Sequence, residues 1–407
     1  MNILFLNFGI GGFAGDSPQF FLLVKGLMEL GHKVIVAVPD GDAWYWDEAK
    51  SESYAPIRKK LLEAKGEYVE IEGMTILPIH CTSEKLGYYC PDAPKIGKKI
   101  LQEYDVVYCS NWYYHLAMSF SKIAHELKVP FIIAAMAAFE KPAHRLKNSR
   151  KKILDLLYTK KLFKNAAGFH SVGSTETDTY TKLGADPKKI YRIDHGILPE
   201  NFQVKKTTGI LEKNGIDISK HSYIYSIGRI DPKKGLELLL ESFAKIVKNH
   251  ENLFLVITGT GTKKYVDKIK ELSQKLKIND VVKFTGFISE DAKLELFESA
   301  KLHVVTSHSD VHILTATESL AMGTPVVITK ACDFPEIDEY KVGITVDSDS
   351  NSVYSAVEEL LNDEEKLKEY SKNAKKMIDE KFLLKNKIKE YESMFEEVIK
   401  NYRNNEN

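Results

Sequence analysis

The sequence is poor in cysteine and has no long apolar run. Its four cysteines, Cys81, Cys90, Cys109 and Cys332, are dispersed without CxxC spacing. That dispersal excludes a zinc knuckle and a disulfide framework, and it favours a reducing compartment. No apolar run reaches the roughly 18 residues that a membrane-spanning helix needs. Residues 1–8 predict a first strand and not a signal peptide, so we expect a cytoplasmic protein, with peripheral attachment to the inner face of the cell membrane left open.

An excess of charge is absent too. Lys plus Arg and Asp plus Glu number 57 each, which argues against a general nucleic-acid binder and makes any basic site local. Hydrophobic residues make up 43% and charged residues 28%, values of a folded chain and not of a disordered one. The 407 residues exceed the size at which a single core stops growing, roughly 250 to 300 residues. Two domains are therefore expected.

Short apolar runs alternate with amphipathic stretches, which predicts doubly wound α/β architecture with parallel sheets. The predicted strands of the first half are Asn2–Phe8, Lys33–Val38, Val106–Cys109, Phe131–Ala135 and Ala167–Ser171. Those of the second half are Tyr223–Ile227, Leu253–Thr258, Val281–Phe284, Leu302–Thr306 and Val326–Ile328. Residues 40–100 give no clear pattern. Each half is expected to be a Rossmann-like unit.

We place the domain boundary after the segment His195–Phe202, which leads into a polar linker. The predicted domains are residues 1–202, residues 203–380 and a C-terminal helix over 381–407. That helix carries an apolar stripe at helical spacing and needs a surface to cover, for which we predict the N-terminal domain. The stripe consists of Phe382, Ile388, Tyr391, Phe395 and Val398.

A glycine-rich loop follows the first strand and contains Gly9, Gly11, Gly12 and Gly15. Glycines let backbone amides approach a phosphate at the start of a helix, and Gly12 is our candidate donor of such an amide. With Ala14 and with Asp40 as a ribose-binding acid, the loop also fits a dinucleotide fingerprint, which leaves an NAD-dependent oxidoreductase as one alternative. A permissive turn without a ligand is another.

The segment Ser226–Gly235 stands between a predicted strand and a predicted helix of the second half. Arg229 and Lys234 would place two cations at the start of that helix, where the helix dipole also favours an anion. A guanidinium can grip two phosphate oxygens at once. The spacing indicates a pyrophosphate site more strongly than it indicates a solvated basic turn.

Two carboxylates precede the Gly323-Thr-Pro turn of the second half. Asp310 follows a predicted strand, and Glu318 falls early in the next helix, so the pair can reach opposite ends of an elongated ligand. Acids also favour helix starts for dipole reasons alone, which is the competing interpretation. The two carboxylates and the two cations together suggest a site for a charged nucleotide.

In this order the segments resemble family 4 of the retaining glycosyltransferases. The resemblance rests on Gly228-Arg229 with Lys234-Gly235, Phe284-Thr-Gly286-Phe-Ile288, and the carboxylates ahead of Gly323-Thr-Pro325. It implies a GT-B fold, with two Rossmann-like domains facing across a cleft, and transfer of a sugar from a nucleotide-sugar with retention and without a metal or other cofactor. By this resemblance Arg229 and Lys234 bind the donor diphosphate, Glu318 the ribose and Asp310 the sugar. Further donor contacts are implied for Gly12, Gly228, Gly286, Ile288, Ile313, Leu314 and Thr315.

The sequence departs from the family pattern at several points. Asp310-Val-His-Ile313 stands where the family shows Glu-Gly-Phe-Gly, which bears on the identity of the sugar. The usual polar acceptor-side residue is missing after the strand at residues 130–135, and His115 is our candidate substitute, with a packed histidine as the alternative. Because sugar-contact positions have diverged, a non-catalytic nucleotide-sugar-binding partner subunit is the main alternative function.

Two further segments bear on ligands and partners. Asp347-Ser-Asp349 imitates a metal-binding Asp-x-Asp pattern, but we interpret it as a turn and predict no metal. Residues 145–164 form a basic amphipathic stretch suited to an anionic membrane, or to packing on its own sheet. The expected partners are a nucleotide-sugar donor, a glycan or lipid-linked acceptor of surface polysaccharide or glycolipid assembly and an anionic membrane, with no nucleic acid.

Overall fold

The computed structural model describes residues 1–7, 17–40, 48–82, 88–136, 158–310 and 313–406. It divides into two compact units: Met1–Gly196 with Leu384–Asn407 forms the first unit, and Ile197–Leu383 forms the second. The division falls at Gly196, earlier than the expected residue 202. Ile197 is buried in a core of the second unit, and its N–H donates to the carbonyl oxygen of Phe382 at 2.7 Å, so this residue already belongs to the second fold.

The described part of the first unit contains an eight-stranded sheet with the order β3-β4-β2-β1-β5-β6-β7-β8. Neighbouring strands are parallel except β3 and β4. The central strands are apolar along their length because helices cover both faces of a parallel sheet. The strands are β1 (Asn2–Leu6), β2 (Lys33–Pro39), β3 (Val69–Ile71), β4 (Met74–Ile79), β5 (Val106–Ser110), β6 (Phe131–Ala134), β7 (Gly168–Ser171) and β8 (Ile190–Arg192).

The described helices of the first unit, apart from the last helix of the chain, lie between its strands in the sequence. They are α1 (Ser17–Glu29), α2 (Glu48–Glu63), α3 (Ala93–Ile100), α4 (His115–Glu126), α5 (Lys160–Asn165) and α6 (Ser174–Lys182). Strands β3, β4 and β8 were not predicted. Strands β3 and β4 form an antiparallel hairpin within residues 40–100, the region that gave no clear pattern. They could not be predicted because a three-residue strand and a strand containing Pro78 carry little periodic signal.

The second unit contains a six-stranded sheet with the order β11-β10-β9-β12-β13-β14, and all its described pairs are parallel. The strands are β9 (Ser222–Ile227), β10 (Leu253–Thr258), β11 (Val282–Gly286), β12 (Leu302–Val305), β13 (Val326–Thr329) and β14 (Gly343–Val346). The helices are α7 (Ile210–Lys213), α8 (Leu236–Ile246), α9 (Lys263–Lys275), α10 (Glu290–Ser299), α11 (Leu314–Ala321), α12 (Glu336–Glu339), α13 (Ser350–Leu361) and α14 (Glu364–Met377). Strand β14 was not among the predicted strands.

The last helix, α15 (Leu384–Glu406), packs within the first unit. Phe395 makes edge-to-face contacts with Phe5 and Tyr108, at centroid distances of 5.8 and 5.9 Å. Gly26 of α1 gives the helix room, because a Cβ there would lie 2.0 Å from a methyl carbon of Ile388. The prediction that Phe382 belongs to the same stripe is wrong. Its ring packs in the second unit, because a π-helical turn over Ile378–Phe382 ends the preceding helix there.

Candidate functional site

A switch in strand order lies in the middle of the second sheet. From β9 the chain passes to β10 on one side, and β12 joins β9 on the other. Loops at the carboxyl ends of β9 and β12 therefore leave in opposite directions and open a crevice, which is where open α/β sheets bind ligands. The crevice has about 350 Å³ of empty space. Its lining includes Gly228, Arg229, Lys234, Thr306, Ser307, Ile313 and Thr315.

The loop after β9 is folded tightly against the loop after β12. Asp231 accepts a hydrogen bond from the Lys233 N–H at 2.9 Å and so caps a 3-10 turn over Pro232–Lys234. Gly235 then adopts a left-handed φ of 60°, and a Cβ there would lie 2.2 Å from the Thr306 carbonyl oxygen. The Thr306 hydroxyl lies 3.1 and 3.0 Å from the carbonyl oxygens of Lys234 and Gly235. The position of the Lys234 backbone is therefore fixed by both loops.

A second close approach fixes Gly228. Its carbonyl oxygen would lie 1.8 Å from a Cβ at Gly259, whose φ of 138° also requires glycine. The N–H of Gly228 donates to the carbonyl oxygen of Thr258 at 3.0 Å, and the N–H of Gly259 donates to that of Gly286 at 2.9 Å. The predicted donor-contact glycines 228 and 286 are thus connected through Gly259, which the sequence analysis did not single out.

Two lysine side chains contact one carboxylate at this crevice, and an arginine lines it. Lys234 Nζ hydrogen-bonds Asp310 Oδ2, and Lys233 Nζ lies 3.5 Å from Asp310 Oδ1. Burial acts to raise the pKa of Asp310, but the two lysines outweigh it and lower the pKa below its usual value. The Arg229 side chain is exposed at the same crevice. With one carboxylate against three cations, the site carries a positive excess suited to a diphosphate.

Glu318 lies in a second charged cluster, on the face of α11 towards α10. Its Oε1 lies 2.9 Å from Lys293 Nζ, and the same ammonium lies 2.7 Å from Glu290 Oε1. Burial raises the pKa of Glu318, and Lys293 opposes that shift. The two carboxylates in turn raise the pKa of Lys293 against the effect of its burial. Sequence reasoning missed Lys293, because one lysine on an amphipathic helix carries no signal of its own.

The remaining predicted donor residues lie at the ends of strands and at the start of α11. Ile313 is buried and lines the crevice with Thr315, and Leu314 begins the helix. The Thr315 hydroxyl lies 3.4 Å from His303 Nε2, while His303 Nδ1 lies 3.1 Å from the Tyr225 carbonyl oxygen. A carbonyl only accepts, so Nδ1 carries the proton and Nε2 accepts from Thr315. Ile288 is half-buried and packs against an apolar cluster to which β9, β10 and α10 contribute.

Both halves of the chain match known families. Residues 19–201 match Glycosyltransferase Family 4, and residues 211–377 match Glycosyl transferases group 1. The chain is a GT-B glycosyltransferase of family 4. It is therefore a retaining enzyme that uses a nucleotide-sugar donor.

Relatives agree with this assignment, and solved structures agree with its fold. An uncharacterized glycosyltransferase of Methanocaldococcus jannaschii is 24% identical over 336 residues, 80% of this chain and 85% of the relative. The alpha-monoglucosyldiacylglycerol synthase of Streptococcus pneumoniae is 36% identical over 104 residues, 26% of this chain and 23% of that enzyme. The Anabaena HepE structure in complex with UDP and glucose has a TM-score of 0.74 at 16% identity, covering 98% of this chain and 100% of the other. A glycosyltransferase structure from Rickettsia africae gives 0.75 at 16% identity, covering 98% and 99%.

Five predicted site residues of the first unit of the glycosyltransferase lie outside the described residues. These are Gly12 and the rest of the glycine loop, Gly9, Gly11, Ala14 and Gly15. Asp40, the acid of the dinucleotide alternative, has a local task. Its Oδ1 accepts from the Cys81 N–H at 2.7 Å, and its Oδ2 lies 3.2 Å from His80 Nδ1. It thus holds the segment after β4 in place.

His115 begins α4 and is half-buried. Its Nδ1 accepts from the Cys90 N–H at 3.3 Å, and its ring lies 4.5 Å from that of Tyr89. Burial lowers the pKa of His115, so the ring is neutral near pH 7 and carries its proton on Nε2. A histidine with a packing role uses Nδ1 for these contacts, whereas a role towards the acceptor needs only Nε2. The contacts are therefore compatible with both interpretations of His115.

The Asp-x-Asp pattern lies at the start of a helix. Asp349 accepts from the N–H groups of Asn351 and Ser352, at 2.9 Å each, as the N-cap of α13, and Asp347 Oδ1 lies 2.9 Å from Lys330 Nζ. Among the described residues no group of three or more His, Cys, Asp or Glu side chains could hold a metal ion. Nor is any helix in those ranges long and apolar enough to cross a membrane.

Most of the predicted membrane-facing stretch, residues 145–157, lies outside the described residues. In its described remainder Leu162 and Phe163 are buried in the core of the first unit. Lys160, Lys161 and Lys164 are exposed. This end of the stretch is therefore anchored by its apolar side and presents three cations to solvent.

Proposed function

We propose that the crevice between the loops after β9 and β12 binds the diphosphate of the donor, with Arg229 and Lys234 as its clamp. The contacts between Gly235 and Thr306 and between Gly259 and Gly228 carry this proposal, because they fix the backbone that bears both cations. Breaking the anomeric bond places negative charge on the leaving diphosphate. Cations held in advance stabilise that charge without reorganising. No metal ion is needed for this step in the proposed mechanism.

Asp310 serves this clamp in two ways in the proposal. It orients the donor sugar, and its charge holds the ammonium groups of Lys234 and Lys233. When a diphosphate arrives, the lysines exchange part of this contact for phosphate oxygens, and the carboxylate becomes available to sugar hydroxyls. Gly12 adds a backbone amide from the glycine loop. The acceptor hydroxyl attacks the anomeric carbon from the face that the diphosphate leaves, which retains the anomeric configuration, and the leaving phosphate accepts the proton of that hydroxyl.

The ribose is bound by Glu318 in this proposal. A carboxylate accepts hydrogen bonds from both ribose hydroxyls only when ionised, and Lys293 opposes the protonation that burial favours. Gly286, Ile288, Leu314 and Thr315 surround the nucleoside. We propose a uridine diphosphate sugar as donor, supported by the HepE structures in complex with UDP and with UDP-glucose.

The proposed acceptor is a glycan or a lipid-linked sugar, with His115 on the acceptor side. Two observations support it: the partial match to a synthase named for a glucosyldiacylglycerol, and the exposed lysines of α5 beside the basic stretch at 145–157. Each basic side chain near an anionic bilayer contributes about 1 kcal/mol to attachment. Flotation with neutral and anionic vesicles tests the membrane part, and equal recovery with both would remove it.

The clamp is tested by Arg229→Ala and Lys234→Ala, with Lys264→Ala, at an exposed lysine of α9, as the matched control. Loss of one preorganised charge is expected to lower turnover on the order of 100-fold or more. UDP affinity, measured by calorimetry, falls in both variants and stays at the wild-type value in the control. Unchanged turnover and affinity in the double variant would refute the clamp. Turnover in EDTA tests the metal-free step separately.

A further inference from the structure

Two cysteines that are separated in the sequence lie side by side in the first unit. The Thr82 N–H donates to the Tyr89 carbonyl oxygen at 2.9 Å, which holds the segment after Cys81 against the segment before Cys90. In the antiparallel register that this hydrogen bond sets, the next pair along the two segments is Cys81 and Cys90. Both side chains are thiols in the structure, and both pack on the same apolar core. The dispersed spacing gave no sign of this pair.

The two thiols have unequal surroundings. Cys90 is completely buried, and its thiol lies 3.3 Å from the Tyr88 carbonyl oxygen. Its hydrogen bond with Cys81, its burial and the charge of Asp40 all raise its pKa. Cys81 is only partly buried, at the edge of the core. Reagents in solution can therefore reach Cys81, whereas Cys90 is shielded and can react only with its neighbour.

We propose that Cys81 and Cys90 form a reversible disulfide, with Cys81 as the attacking thiol and Cys90 as the resolving thiol. The oxidant is a small disulfide such as oxidised glutathione. The Cys81 thiolate attacks one glutathione sulfur, and the first glutathione leaves. Cys90 then attacks the Cys81 sulfur, the second glutathione leaves, and the two thiol protons end on the two leaving groups. The pair loses two electrons, and the glutathione disulfide gains them.

The register set by Thr82 and Tyr89 favours this bond. Residues that face each other across adjacent antiparallel segments have Cα atoms about 4.5 to 5.5 Å apart, within the roughly 4.4 to 6.8 Å that disulfides adopt. Sensor cysteines commonly combine an accessible thiol with a resolving partner.

Peptide mapping tests the disulfide directly. Trypsin cuts after Lys85, between the two cysteines, so their peptides separate unless a disulfide joins them. We expect full-length protein treated with oxidised glutathione to give one joined peptide pair, lighter by two hydrogen atoms than the sum of its parts, which reduction separates. Buried Cys109 and Cys332 stay thiols and serve as internal controls. Cys81 and Cys90 recovered as thiols, or Cys81 recovered only as a glutathione adduct, would overturn the proposal.

Single variants test the order of attack. Cys90→Ser has no resolving thiol, so we expect a stable glutathione adduct on Cys81. Cys81→Ser leaves only the shielded thiol, so we expect no adduct on Cys90. An adduct on Cys90 at the rate seen for Cys81 would refute the assigned roles. Circular dichroism of both variants confirms that they are folded.

The disulfide also lies next to the proposed acceptor side, because the Cys90 N–H donates to His115 and the Tyr89 ring contacts it. This consequence, unlike the disulfide itself, rests on the proposed function. We expect oxidation to raise the acceptor KM several-fold, reversibly, and to leave the Cys81→Ser/Cys90→Ser variant unaffected. A joined peptide pair with an unchanged KM would overturn the link to catalysis. Peptide mapping gives its answer even if the acceptor proposal fails.

Discussion

The two units differ in the contacts that surround their candidate site residues. In the second unit the predicted cations and Asp310 converge at one crevice, and glycines that no other residue could replace fix the backbone beneath them. In the first unit His115 accepts a hydrogen bond from the Cys90 N–H and packs against the Tyr89 ring. A diphosphate demands the same fixed charges in every donor, whereas acceptors vary. The second unit, whose site backbone these glycine contacts fix, is therefore the unit that we propose binds the diphosphate.

The largest expected effect comes from filling the close backbone contact between Gly259 and Gly228 in the second unit. Gly259→Val places a side chain 1.8 Å from the Gly228 carbonyl oxygen at a φ that only glycine tolerates. We expect a loss of about 3 kcal/mol or more in the free energy of unfolding and loss of UDP binding. Gly215→Ala is the control, since its φ of 75° is also left-handed but nothing lies within 4 Å of its Cβ. Denaturant melts decide, and equal losses in the two variants would contradict the steric argument.

A second prediction compares one buried histidine from each unit. Burial lowers the pKa of His170 and of His303 from 6.5 to about 4. The unfolded chain then binds more protons than the folded chain between these values, so stability falls as pH drops from about 6.5 to about 4. Each histidine contributes at most about 3 kcal/mol to that loss. Melts of His170→Gln and His303→Gln across this window should show a shallower pH dependence than the wild type. The same slope in all three proteins would refute the assignment.

A third prediction concerns Lys293, the cation that the sequence analysis missed. In Lys293→Met, Glu318 keeps its burial and its neighbour Glu290 but loses the charge that opposes protonation. The pKa of Glu318 should rise further, so donor affinity should weaken by about tenfold near neutral pH, about 1.4 kcal/mol, and recover at higher pH. Lys301→Met, on an exposed lysine of the same unit, is the control. Calorimetric titration of UDP against pH is the measurement, and a parallel pH curve would count against a role for Lys293.

The smallest expected effect concerns His115 and tests whether the two units bind different ligands. His115→Gln keeps polar atoms at the start of α4 and removes the Nε2 proton donor. We expect the acceptor KM to rise a few-fold while UDP affinity stays unchanged, because we propose that the histidine serves only the acceptor. Cys90→Ala, which disturbs the same corner without removing the imidazole, separates packing from chemistry. A fall in UDP affinity in His115→Gln would remove the distinction between the two units.

Much of the second unit could be predicted from sequence alone. Five of its six described strands were predicted to within a residue or two, and Leu253–Thr258 was correct at both ends, since buried parallel strands are uninterrupted apolar runs. Arg229 and Lys234 could be singled out because glycines flank them in the chain, and both line the crevice. Gly259 and Lys293 were not, because each acts on a residue far away in sequence. The hairpin of β3 and β4 was missed because it is short and antiparallel.

The sequence by itself determined the family, the alternation of strands and helices and the charged segments after β9 and β12, because all of these depend on neighbouring residues. Only the tertiary structure decided that Lys293 faces Glu318, that Phe382 belongs to the second unit and that Cys81 meets Cys90. Such pairs arise when separate segments are brought together by burial of apolar surface. No local pattern records which distant side chains that burial places in contact.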